Sequence, residues 1–246
     1  MSKALPPSAT QIRPIALLIA VSTVGVAVAV GSSYVAQRAF ALTNGGSITA
    51  LGVPLTENFD ALALTGTNIS WVDDSTIPGW YSSRTTYNSG TGSSATGALY
   101  SFGVAGTNPD TDRALGSLAS GGTGAVFHAA RLTNNTGGTI TSLDISYVGE
   151  QWRNGGNAAS HVLTFQYQVA NAGVITDANT PASGWSSVPD LSFTGPIAAA
   201  AAATLDGNAG TNRTLKSATL AVTVNNGQEI WLRWQDPDDT GNDHGA

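Results

Sequence analysis

KSATLAVTVNNGQEIWLRW, residues 216–234, decides how this chain is read. In its first half Ala218, Leu220, Val222 and Val224 fall on one side of an extended segment. In its second half Ile230, Leu232 and Trp234 take one side, and Glu229, Trp231 and Arg233 the other. Successive side chains of a strand point to opposite faces, so each half reads as a strand with one apolar face. Between the halves, Asn225-Asn226-Gly227 offers residues that accept positive φ, and predicts a tight hairpin turn.

The same period of two recurs on either side. HVLTFQYQVA (161–170) puts Leu163, Phe165, Tyr167 and Val169 on one face, and Thr164, Gln166 and Gln168 on the other. Residues 125–133 and 140–148 form a second predicted hairpin, joined across NNTGG. Shorter strands are predicted at 48–53, 98–102, 113–118 and 185–188. The polar stretches 85–96 and 175–183 read as loops, and the alanine run 198–203 as loop decoration. Many short strands between Gly-rich turns predict an antiparallel β-sandwich, each strand burying one face and wetting the other.

Composition agrees. Only 11% of the 246 residues are charged and 29 are Gly, a mix poor in helix formers, yet 41% are hydrophobic, enough for a core. The chain has no Cys, which excludes disulfides, thiolate metal sites and cysteine nucleophiles. Lys3 and Arg13 precede the apolar run IALLIAVSTVGVAVAV (15–30), and Ala39-Phe40-Ala41 ends the segment. That order predicts a signal peptide helix over residues 1–41, a linker or first strand over 42–55, and one domain over 56–246. It also predicts a secreted or cell-surface protein that meets the membrane only through its leader. Three of the ten basic residues lie in the leader and all sixteen acidic residues follow it, so the remainder carries 7 against 16, net −9. No basic footprint for nucleic acid exists.

Several segments carry a resemblance: ENFDALALTGT (57–67), IPGWY (77–81), YSFGVAGTNPDTDRALGSL (100–118), ARLTNNTGGTITSLDISYVGEQWR (130–153), LDGNAGTNRT (205–214) and IWLRWQDPDDTGNDHG (230–245). Together they resemble the all-β, jelly-roll-like module of large bacterial extracellular proteins. Such modules sit beside lamin-tail domains, immunoglobulin-like repeats, sorting signals or secreted endonuclease/exonuclease/phosphatase domains. The resemblance implies downstream domains of the same chain. In that family the acidic loop runs on into a last strand like "hGLAIDDFSV", whereas here the sequence reads Asp243-His244-Gly245-Ala246. The expectation is a sandwich whose closing strand is missing.

Two chemistries are candidates. Asp236, Asp238, Asp239 and Asp243 lie within eight residues, an oxygen-rich loop of the kind calcium takes. By analogy with carbohydrate-binding jelly rolls, Glu57 or Asp60 would complete such a site from near the first strand. The alternative is a solvated acidic turn. Trp231, on the outward face beside Arg233, and Trp152, before Arg153-Asn154, are the candidates for stacking on a glycan or other extracellular polymer; the alternative is ordinary packing. Trp80 and Trp234 read as core. Glu150 has no sequence partner for acid–base work and reads as a strand-end charge paired to Arg153 or Arg131. His128, His161 and His244 lack metal-ligand spacing, and His161 reads as a rim residue. No catalytic constellation is found. The sequence thus points to a non-catalytic binding or structural module. The alternative is an accessory domain of a larger secreted nuclease or phosphatase whose catalytic part lies beyond Ala246.

Overall fold

The computed structural model describes residues 17–20, 45–104 and 111–246; the side chains of 17–20 are not described. Most of the predicted leader and the start of the predicted linker therefore lie outside the described residues. The strands in chain order are β1 (Leu17–Ala20), β2 (Ser47–Ile48), β3 (Leu55–Glu57), β4 (Ile69–Ser70), β5 (Trp80–Ser82), β6 (Thr86–Gly90), β7 (Ala98–Phe102) and β8 (Ala114–Leu118). They continue as β9 (Val126–Asn134), β10 (Ile140–Glu150), β11 (Arg153–Asn154), β12 (Val162–Asn171), β13 (Ser186–Ser187), β14 (Phe193–Thr194), β15 (Ala203–Thr204), β16 (Arg213–Val224) and β17 (Gln228–Asp236). Among the described residues a single 3-10 turn, Pro189–Leu191, is the one helical element, and no helix is long and apolar enough to cross a membrane.

Two large sheets face each other. One has the order β16-β10-β1-β3, the other β13-β12-β17-β9-β2, with β5 also on β9 and β14 on β12. A third sheet, β4-β6-β7-β8, and the small pair β11-β15 complete the domain. Leu143, Ile145 and Leu220 from the first sheet share one buried cluster with Phe165, Leu232 and Trp234 from the second. Trp234 anchors it: its ring stacks on Trp80 at 5.6 Å and meets Tyr147 and Phe165 edge-on at 5.3 and 5.0 Å. Edge-to-face and offset rings of this kind suit the aromatic quadrupole.

The strands of the opening stretch are present with the predicted faces, but they do not pair with each other. β16 pairs with β10, whereas β17 pairs with β12 and β9. The turn at 225–227 thus carries the chain from one sheet to the other. The second predicted hairpin is corrected in the same way, since β9 and β10 belong to opposite sheets. Period-two alternation says which face is apolar, not which sheet the strand joins. Two strands with facing apolar sides satisfy it equally well across the core.

Asn134 locks these two crossings together. Its Nδ2 donates to Val224 O at 2.7 Å and to Gly138 O at 2.8 Å. Its own carbonyl accepts from Gly227 N at 2.7 Å, and Asn226 Oδ1 accepts from Gly137 N at 2.8 Å. Gly227 has φ of 83°, the left-handed value the sequence predicted for that turn.

Three further expectations change. The pairing is mixed, because β2–β9 and β6–β7 are parallel. The stretch 85–96 contains a strand, β6. Within the predicted leader helix, Leu17–Ala20 is extended and lies between β3 and β10.

Candidate functional site around the acidic loop

The acidic loop leaves the end of β17 and is stitched to two other elements. Asp236 closes β17, opposite Val126 of β9, and is 0% exposed. The chain then passes over the head of β12 and returns to β11. There Gly245 O accepts from Trp152 N at 2.8 Å and Arg153 N at 3.1 Å, and Gly245 N donates to Arg153 O at 3.1 Å. Ala246 and Ser117 of β8 exchange backbone bonds of 2.7 and 3.1 Å. Gly155 permits the approach: a Cβ there would lie 2.0 Å from Asp243 O.

His161, just before β12, sits under this loop at 1% exposure rather than on a rim as expected. Its Nε2 is 3.0 Å from Asp236 Oδ1 and its Nδ1 is 2.7 Å from Asp239 Oδ2. Burial alone would lower its pKa, but the Asp236 carboxylate 3.0 Å away, out of line for a hydrogen bond, and the hydrogen-bonded Asp239 outweigh it and raise the pKa to about 9. Two carboxylates within 3.0 Å thus favour the imidazolium form of His161 at neutral pH.

Around this clasp the remaining groups are arranged to tolerate it. Asp243 Oδ1 accepts from Asp239 N at 2.7 Å, and burial, with the charges of Asp238 and Asp236, pushes the Asp243 carboxyl up. His244 lies 6.2 Å from His161, ring to ring. Burial and the His161 charge push its pKa down, which favours the neutral ring. In the neutral form Nδ1 accepts from Gln151 Nε2 at 3.2 Å, and Nε2 donates to Ala159 O at 3.2 Å.

Of the acidic residues picked out from sequence, Asp236, Asp239 and Asp243 come together around His161, and Asp238 stays exposed beside them. Glu57 and Asp60 serve another turn. Glu57 Oε1 accepts from Asn58 N at 3.0 Å and Phe59 N at 2.7 Å, and Asp60 Oδ1 accepts from Arg113 N at 3.2 Å. Among the described residues no group of three or more His, Asp or Glu side chains is placed to hold a metal ion. Beside the loop lies a polar cleft of ≈ 220 Å³, lined in part by Ser120, Arg153, Gly155, Asn242 and Asp243.

The two tryptophans proposed for stacking are buried, at 0% for Trp231 and 1% for Trp152. Trp152 packs on Phe102 at 5.8 Å and donates Nε1 to Glu150 Oε2 at 3.2 Å. Burial and then the charge of Asp112 lift Glu150 to about 7. Glu150 stands opposite Arg213 in the β10–β16 register, while Arg153 donates to Gly92 O and Ser93 O, and Arg131 pairs with Asp74. These contacts replace the ion pairs expected for Glu150. Trp231 does face away from the main core, as the alternation required. Tyr81 of β5 packs beside it and the loop carrying Ile175 and Ala178 folds over it, so the ring is enclosed.

That covering loop delivers the aromatic the sequence reading missed. Trp185, half-buried, lies over the Arg233 guanidinium at 3.9 Å, with half-buried Phe127 at 4.9 Å. Gln166 Oε1 accepts from Arg233 Nε at 2.9 Å and Nη2 at 2.6 Å. Arg233 had been placed on the outward face from its spacing, but only the tertiary fold brings Trp185 to it. No family model, no curated protein and no solved structure matches the chain.

Proposed function

We propose that this is an exported, non-catalytic β-sandwich module of jelly-roll type that contacts an extracellular polymer through the outer face of its β12-β17-β9 sheet. The observation that carries this reading is the Phe127–Arg233–Trp185 stack. Two half-buried rings sandwich the Arg233 guanidinium, which is itself buried and bonded to Gln166 and Ala178, so the exposed parts of the rings are what a polymer can meet. Flat apolar rings next to rigid polar groups are what a sugar ring needs, since its axial C–H faces stack and its hydroxyls hydrogen-bond. The acidic loop has a structural part in this reading. A calcium ion there would have to displace the His161 imidazolium from Asp236 and Asp239, so the imidazolium rather than a metal organises the loop.

Retention on insoluble polysaccharides tests the reading, comparing the unmodified chain with Trp185→Ala. The expected result is retention on at least one polysaccharide and its loss in the variant. The variant's stability should fall by only about 1–2 kcal/mol, the cost of one partly buried ring on a cation. Equal retention of both chains, or none by either, would remove the glycan reading.

A further inference from the structure

The first large sheet contains a strand from an unexpected place. β1 lies between β10 and β3 and is antiparallel to both, with Leu18 opposite Ser146 and Thr56, and Ile19 opposite Ile145 and Leu55. β1 is Leu-Leu-Ile-Ala, taken from the middle of the apolar run that the sequence assigns to an export leader. One segment thus stands in two roles, and they conflict. As a core strand it must remain with the domain; as a leader it is removed.

Its position makes removal consequential. β3 joins this sheet through β1 alone. Withdrawing β1 detaches β3 and bares one edge of β10 over residues 144–146, where the backbone groups that point away from β16 lose their partners. The other edge of β10 is already covered by β16. Unpaired strand edges over a core recruit another strand, because each N–H and C=O must find a partner. The side chains beneath the slot set the chemistry of the recruit. Leu143, Ile145 and Tyr147 of β10 and Leu55 of β3 are all buried in the main apolar cluster. β10 is also longer than its present neighbour: it runs from Ile140 to Glu150, while β1 meets only residues 144–146.

We propose that the gap between β3 and β10 is a strand-accepting groove, and that its ligand is an extended apolar peptide segment lying antiparallel to both strands. In the uncut chain Leu17–Ala20 occupies it. In a chain cut after Ala41 the groove takes an apolar strand from another polypeptide, by the strand addition known for exposed sheet edges.

Hydrogen exchange on the full chain tests the first half. Those amides among residues 144–146 that point to β1 should be protected, and Ile19→Pro should remove that protection while leaving protected the amides that point to β16 and those of β12–β17. Free exchange of the β1-facing amides in the unmodified chain, or no change in the variant, would overturn the proposal. A protease site placed after Ala41 tests the second half. The cut chain, incubated with a labelled synthetic peptide of residues 13–24, should co-elute with the label. The same peptide carrying Leu18→Pro and Ala20→Pro should not. If the cut chain unfolds, recovery of the fold with the first peptide but not the second supports the groove equally. No incorporation and no recovery with either peptide would overturn it.

Discussion

The two ends of the β9–β17 pair are closed by different chemistry. At the Asn134 end, two sheet-to-sheet crossings are tied by neutral amides, with Asn134 donating to Val224 O and Gly138 O and accepting from Gly227 N. At the Asp236 end, the backbone bonds of Gly245 and Ala246 are joined by a charged tie, with His161 between Asp236 and Asp239. A neutral network keeps its strength across pH. An ion pair carries a dependence on the proton that the neutral network lacks. The comparison teaches that one module can fix one end permanently and leave the other responsive.

The largest expected effect comes from removing the charged tie. His161→Ala leaves Asp236 buried with no cation, and breaking a buried pair this way costs about 3–5 kcal/mol at neutral pH. Because the folded pKa of His161 is raised to about 9 from an ordinary 6.5, its contribution is complete below about pH 6.5 and is lost as pH rises through 9. Denaturant titrations of both chains between pH 6 and 10 should therefore converge at the alkaline end. A constant gap would mean that His161 acts by packing alone.

Asn134→Ala comes next, at about 1–3 kcal/mol, because the buried carbonyl of Val224 loses its donor; the Gly138 carbonyl, in an exposed turn, can turn to water. Its cost should not change between pH 6 and 10, and a cost that follows pH would erase the contrast between the two ends. Gly155→Ala tests how tightly the charged end is docked. Its new Cβ would fall 2.0 Å from Asp243 O, so backbone must shift. The expected loss is about 1–3 kcal/mol, with faster exchange of the Gly245 and Ala246 amides. A neutral result would show that the loop moves aside freely. The smallest effect is expected from calcium. Melting temperatures with excess calcium and with chelator should coincide at pH 7, and a rise with calcium would place a metal where the imidazolium is drawn.

The faces of the strands were legible in the sequence, and their partners were not. Leu220, Ile230, Leu232 and Trp234 were placed inward from alternation alone, and they are core. The turn at Asn225-Asn226-Gly227 was also readable, down to its positive-φ glycine. Its geometry does not specify whether the next strand lies beside the last or across from it. The crossing that results is tied by Asn134, ninety residues away in the chain from Val224. The candidate site was half legible for the same reason. The acidic run marked the loop, but His161 is 78 residues from Asp239 and carries no local mark of its role. Trp231 was correctly turned from the core, yet a strand pattern cannot foresee that the loop carrying Ile175 and Ala178 would cover it.

Nitrogen-15 chemical shifts of the His161 imidazole, followed from pH 5 to 10, test the central claim most directly. The account predicts that both ring nitrogens are protonated at pH 7, with a transition near pH 9 that moves down when Asp236 is changed to Asn. A neutral ring at pH 7, titrating at or below the ordinary histidine value, would contradict it.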